Sequence, residues 1–242
     1  MEELLAAVCK KLRLGNRIIE NAKRIQHTEN LQFLLDLLTL EIEDRDIKRK
    51  NLYIKTAGFD VIKTFENYTF EDIIFPKTMS PDKVRTVDFI SKKENLIIYG
   101  GVGSGKTHLA IAIGLVACNA GFKTKFYRTA SLVNALADAK KSGYITRFLK
   151  QFDSLDLLIC DEWGYVPVDS VGSKLLFQVI SDCYERKSLI ITTNLEFAKW
   201  NEIFLDEKIT AALLDRIIHH SHLLDFSQRV SRRLADALIN SK

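Results

Sequence analysis

Residues 96–118 constrain this chain more tightly than any other stretch. The apolar run Leu96-Ile97-Ile98-Tyr99 leads at once into Gly100-Gly101-Val102-Gly103-Ser104-Gly105-Lys106-Thr107, and His108 to Cys118 reads as a helix. The pattern G-x-x-x-x-G-K-T between a strand and a helix is a phosphate-binding loop. Its glycines let successive backbone N–H groups turn inward around phosphate oxygens, and the helix N-terminus adds the positive end of its dipole. Residues 100–108 are therefore expected to cradle a nucleoside triphosphate. Lys106 reaches the β- and γ-phosphates, and the Thr107 hydroxyl ligates Mg²⁺.

Three further short apolar runs alternate with helical stretches downstream: Lys123 to Tyr127, Leu155 to Cys160 and Ser188 to Thr192. Runs that are apolar on both faces and separated by helices predict a parallel sheet covered on both sides. Upstream the pattern changes. Residues 1 to about 55 hold no proline and only Gly15, and apolar positions recur at three and four in Leu31, Leu34, Leu35, Leu38 and Ile42. That periodicity predicts two or three helices, with breaks near Gly15 and residues 27–30. An irregular aromatic connector from Phe65 to Pro81 separates the two patterns. The expected organisation is a small all-helical domain over residues 1–60 and an α/β nucleotide-binding domain over 61–242.

The chain has 242 residues, 47% of them hydrophobic and 27% charged, enough to bury a sizeable core and too apolar for default disorder. No stretch approaches eighteen uninterrupted apolar residues, and the first residues lack the layout of a signal peptide, so a cytoplasmic protein without membrane partners is expected. Cys9, Cys118, Cys160 and Cys183 are far apart and show no C-x-x-C spacing. These cysteines suggest neither zinc ligation nor a disulfide framework.

The second half of the chemistry lies in Leu157-Leu158-Ile159-Cys160-Asp161-Glu162, an apolar strand ending in two carboxylates. Successive strand side chains point to opposite sides, which gives the two acids different tasks. Asp161 would hold Mg²⁺ through its water shell; Glu162 would polarise the water that attacks the γ-phosphate. A later strand ends Thr192-Thr193-Asn194. If it lies between the other two, the Asn194 amide sits beside the γ-phosphate and orients that water; taken alone, an Asn there also closes a strand as a turn residue.

The order of phosphate loop, acidic pair and Thr-Thr-Asn resembles the AAA+ ATPases. Within that class, Asp161 to Pro167, Leu175 to Ser181 and Tyr184-Glu185-Arg186 look like IstB, the ATP-binding helper of an insertion-sequence transposase. Phe197-Ala198-Lys199-Trp200, Thr210 to Arg216 and His219-His220 are similar to the same family. The ATPase parts are shared with the DnaC-type helicase loaders, the alternative reading. The resemblance implies an AAA+ core with a flanked parallel sheet, and an ATPase that assembles as a ring or spiral on double-stranded DNA, selects a target and recruits a transposase. It also implies that Arg216 of Leu-Leu-Asp-Arg completes the ATP site of a neighbouring subunit, although by itself Arg216 is equally a helix-surface cation. A C-terminal element of that family carries an arginine that senses the γ-phosphate in cis. Ser231-Arg232-Arg233-Leu234 stands at that place, with Arg233 the matching residue and Arg232 its competitor; the family's aromatic is replaced by arginine.

Net charge is only +4, so distribution must locate any polyanion site. Residues 10–24 carry Lys10, Lys11, Arg13, Arg17, Lys23 and Arg24 against Glu20 alone. A second stretch holds Lys140, Lys141, Tyr144, Arg147 and Lys150, between the second strand and the acidic one. The cations would contact DNA phosphates and Tyr144 a sugar or base, without reading sequence.

Overall fold

The computed structural model describes residues 2–15, 17–26, 29–66, 68–165, 170–200, 207–229 and 231. The chain divides into two compact units, Met1–Tyr53 and Ile54–Lys242.

In the first unit α1 (Glu2–Lys11), α2 (Ile18–Arg24) and most of α3 (Asn30–Ala57) follow one another. Its interior is tied by charge. The Glu41 carboxylate, 3% exposed, accepts the Gly15 N–H and the Arg45 Nε at 2.8 Å, and Arg17 reaches Asp44 at 2.9 Å. The apolar stripe of α3 does not form a core: Leu34, Leu35, Leu38 and Ile42 are all exposed, as are Leu4 and Val8 on α1 and Leu12 just after it. A unit of about fifty residues has little interior in which to enclose such a stripe.

The second unit is a five-stranded parallel sheet. In chain order it contains α4 (Pro81–Thr86), α5 (Asp88–Ser91), β1 (Asn95–Tyr99), α6 (Lys106–Asn119), β2 (Thr124–Arg128), α7 (Thr129–Lys141), α8 (Ile145–Asp153), β3 (Leu157–Trp163), α9 (Ser170–Cys183), β4 (Ser188–Thr193), α10 (Glu207–Ile218) and β5 (Ser221–Asp225). Ser80 caps α4 by accepting the Lys83 N–H, and Pro81 fills the first helical position, where its missing N–H costs nothing. The strand order is β2-β3-β4-β1-β5, every pair parallel.

Alternation along the strands divides the core between the two faces. Ile97, Leu158, Cys160, Leu189 and Ile191 pack with residues of α7, α8, α9 and α10, while Leu96, Ile98, Leu157, Ile159 and Ile190 pack with α4, α5 and α6. With both faces dry, the three inner strands β3, β4 and β1 read as apolar runs, as the sequence predicts, while β2 at one edge alternates buried Thr124 and Phe126 with less buried residues. The fifth strand was not expected. β5 is an edge strand, Ser221-His222-Leu223-Leu224-Asp225, in which only Leu224 is fully buried, and one inward residue gives no periodic signal. Cys9, Cys118, Cys160 and Cys183 are all buried free thiols. Among the described residues, no helix is long and apolar enough to cross a membrane.

Candidate functional site

The phosphate loop closes the C-terminal end of β1 and is clamped from both sides. The Gly100 N–H donates to the Thr193 carbonyl of β4 at 3.1 Å, and the Phe226 N–H beyond β5 donates to the Tyr99 carbonyl at 2.7 Å. Phe226 comes so close that a Cβ on Gly100 would lie 2.6 Å from its Cβ. Gly105, at φ 93°, makes the left-handed turn that starts α6, which a side chain would strain. The Lys106 ammonium donates to the carbonyls of Gly100 and Gly101, both at 2.7 Å, and Ser104 Oγ donates to Gly101 at 2.9 Å. The carbonyls of Gly100 and Gly101 are thus taken up within the loop.

Asp161 meets the loop directly: the Thr107 hydroxyl lies 3.0 Å from each of its carboxylate oxygens. Asp161 is buried, and burial pushes its carboxyl above the usual range, against the hydrogen bonds from Thr192 and Thr107. A buried carboxylate served by two hydroxyls, one of them on the phosphate loop, is a hard-oxygen donor set that fits Mg²⁺.

Glu162 departs from the expected alternation. The register between β3 and β4 slips between Cys160 and Trp163, and Glu162 sits in the bulge with φ 56°. Left-handed backbone at a glutamate is strained, by about 1–3 kcal/mol, and such strain gathers at functional positions. The bulge is held by Thr192, whose hydroxyl donates to Asp161 Oδ1 and accepts the Glu162 N–H at 3.0 Å. Alternation carries Asp161 to the α6 face with Leu157 and Ile159, in register with β2, and the bulge that follows turns Glu162 out and exposes it. Lys106, Thr107, Glu162 and Asn194 then line one cavity, with β4, which ends at Thr193, seated between β1 and β3.

Three residues lining that cavity were not expected from sequence, Thr192, Thr193 and Tyr165. Trp163, shortly before Tyr165, is a packing residue, fully buried with its ring 5.4 Å from that of Trp200. Tyr165 is not: Gly164 (φ 87°) turns the chain out of β3 and leaves Tyr165 59% exposed. Arg229 also escaped notice. It donates to the Ser104 carbonyl of the loop, to Tyr68 Oη at 2.9 Å and to the Thr69 carbonyl at 2.7 Å, and its guanidinium packs on Tyr68 and Phe226. No local motif marks it, because every partner but Phe226 is distant in sequence.

Other expected residues stand elsewhere. His108 turns from the phosphates to the Thr64 carbonyl, 2.9 Å from its Nε2, and packs on Tyr68. Arg216 donates to the Ala212 carbonyl of its own helix at 2.9 Å and lies over the Phe177 ring, and it does not line the cavity. Lys140, Lys141, Tyr144 and Arg147 form one exposed stretch across the turn from α7 to α8. Arg232 and Arg233 lie outside the described residues.

Replacing Thr192 with Val removes a hydroxyl on which Asp161 and the Glu162 N–H both depend. Denaturant unfolding is expected to show a loss of about 1–3 kcal/mol, the cost of leaving buried polar groups unpaired. Unchanged stability would show that the bulge holds without Thr192.

Comparison with known proteins agrees with this geometry. A family model described as IstB-like ATP binding protein matches residues 9–237. A protein of Geobacillus stearothermophilus, described as an ATP-binding protein of insertion sequence IS5376, is 37% identical over 190 residues, 78% of this chain and 76% of its own. A counterpart from insertion sequence IS21 of Pseudomonas aeruginosa is 35% identical over 196 residues, covering 80% of this chain and 73% of that one. Among solved structures, AMPPCP-bound DnaA from Aquifex aeolicus superposes with a TM-score of 0.58 at 21% identity, over 73% of this chain and about half (53%) of the DnaA chain. DnaI superposes with a TM-score of 0.55 at 16% identity, over 70% of this chain and 90% of its own. At those identities the likeness is one of fold, an AAA+ core.

Proposed function

The chain belongs to the IstB-like ATP-binding proteins, the ATP-binding helpers of IS21-type insertion sequences, and from that premise we propose that it is a Mg²⁺-dependent ATPase that assembles on double-stranded DNA and presents a target to its element's transposase. The observation that carries the catalytic part is the convergence of Lys106, Thr107, Glu162 and Asn194 on one cavity at the ends of β1, β3 and β4.

ATP phosphates enter the loop between Gly100 and Thr107, and Lys106 exchanges its two loop carbonyls for β- and γ-phosphate oxygens. Thr107 and Asp161 hold Mg²⁺, which neutralises charge developing on the phosphates. Glu162 accepts the proton of the attacking water, and Asn194 fixes that water in line. Arg216, absent from its own subunit's cavity, serves the γ-phosphate of a neighbour, and Arg233 is the in-cis sensor. The exposed leucines of α1 and α3 suit the helical unit, residues 1–60, to contacts between subunits or with a partner protein. Hydrolysis would then control release of the assembly from DNA.

The test is ATP turnover with and without double-stranded DNA, together with particle size in each nucleotide state. Stimulation by DNA and an ATP-dependent large assembly support the reading; DNA-independent turnover by a monomer overturns it. Co-precipitation with a replicative helicase instead of a transposase would favour the helicase-loader alternative.

The DNA surface is tested separately. Lys140→Glu with Lys141→Glu is expected to weaken DNA binding by tenfold or more and to lower the salt slope by about two, with nucleotide affinity unchanged. Both lysines are exposed, so the fold should tolerate the exchange. Unaltered DNA affinity places the contact elsewhere.

A further inference from the structure

We propose that Glu185, His219 and His220 form a binding site for a transition-metal dication of the Zn²⁺ type. The two histidines follow α10 and precede β5, and Glu185 lies in the turn after α9. One ring nitrogen of each histidine and one carboxylate oxygen of Glu185 lie within 4.8 Å of one another, the single such grouping among the described residues. The two imidazole rings are 4.2 Å apart, centre to centre, at an angle of 66°.

The distances favour a shared ion over a simple contact. His220 Nε2 and Glu185 Oε1 are 3.6 Å apart, too far for a good N–H···O bond. Two ligands on a tetrahedral ion with bonds of 2.0–2.1 Å stand about 3.3 Å apart, so a small closing movement suffices. As an ion pair between side chains that are 44% and 59% exposed, the same contact would contribute little. His219 Nδ1 lies 3.1 Å from the Tyr184 hydroxyl, which also bonds Glu185, an outer partner of the kind that orients ligating groups. Glu185 keeps a left-handed backbone, φ 56°, at a position where glycine would be unstrained.

Two imidazoles and one carboxylate leave one coordination position open, and they select zinc, cobalt or nickel over the hard ions Mg²⁺ and Ca²⁺. The charged neighbours Asp215 and Arg216, both of which act on Tyr184, oppose each other in sign. None of these residues lines the phosphate cavity, so the proposal does not depend on the ATPase reading.

The experiment is a titration of tag-free, full-length protein with Zn²⁺ against a chromophoric chelator, repeated with Co²⁺ to read the coordination spectrum. One Zn²⁺ per chain with micromolar affinity, undisturbed by millimolar Mg²⁺, and the visible bands of four-coordinate Co²⁺ are expected. His220→Ala and Glu185→Ala should each weaken binding at least tenfold, and the double variant should abolish it. Binding of a fluorescent ATP analogue, expected to be unchanged, verifies that the variants are folded. Binding no tighter than millimolar, displacement by Mg²⁺, or wild-type affinity in folded variants overturns the proposal.

Discussion

Replacing Glu162 with Gln is expected to reduce steady-state ATP turnover by about 10²–10⁴-fold, the usual contribution of a positioned general base, while nucleotide still binds. The substitution keeps shape and removes the carboxylate's charge, and with it the ability to take a proton. The interaction that holds the residue in place is its backbone N–H to Thr192, which the exchange does not touch. Lys106, Thr107 and Asp161 remain to grip the phosphates and metal. Turnover by coupled assay and affinity by a fluorescent ATP analogue separate the two effects. If the variant hydrolyses ATP within tenfold of wild type, the water is activated by another group, and the bulge of β3 needs another explanation.

The second large effect belongs to Arg216. Its contacts among the described residues include one bond to a helix carbonyl and a stacking contact on Phe177, and losing these should cost about 1 kcal/mol of stability. Arg216→Ala is nevertheless expected to lower turnover by about 10³-fold or more, the range found for arginines supplied to a phosphoryl-transfer site by a neighbour. Mixing supplies the decisive control. Each inactive variant lacks what the other retains, so Arg216→Ala chains placed beside Glu162→Gln chains regain sites with both groups intact. Recovery of turnover on mixing is the expected result; additive inactivity would mean that Arg216 acts within its own chain or only holds α10 in place.

Those expectations rest on parts that were unequally legible in the sequence. Gly100 to Thr107, Asp161 and Glu162 could be read because their chemistry is written in consecutive residues whose local structure follows from the flanking apolar runs. Alternation placed Asp161 on the α6 face and set the two acids apart, as expected, but it could not announce the bulge in which Glu162 sits. Thr192 was passed over in favour of Asn194 because its role exists only once β4 lies against β3, 30 residues away. Arg229 was invisible for the same reason, its hydroxyl and carbonyl partners at Tyr68 and Thr69 being contributed by the far end of the nucleotide-binding unit. The leucine stripe of α3 was legible as a period, but a period does not say what covers it.

The place of β1 in the sheet also bears on how the molecule is made. Its two neighbours, β4 and β5, come from residues 188–193 and 221–225, so the clamp on Gly100 closes only after long stretches of intervening chain have been laid down. Pairing at such separation makes for slow folding, because loop closure precedes any reward from contact. A nascent chain halted before residue 226 would contain every residue of the phosphate loop and still lack the Phe226 contact that shapes its entrance. On the proposed function, ATP would bind the finished domain alone and so draw the folding equilibrium towards completion. The nucleotide would in this way inspect synthesis before it served as a fuel.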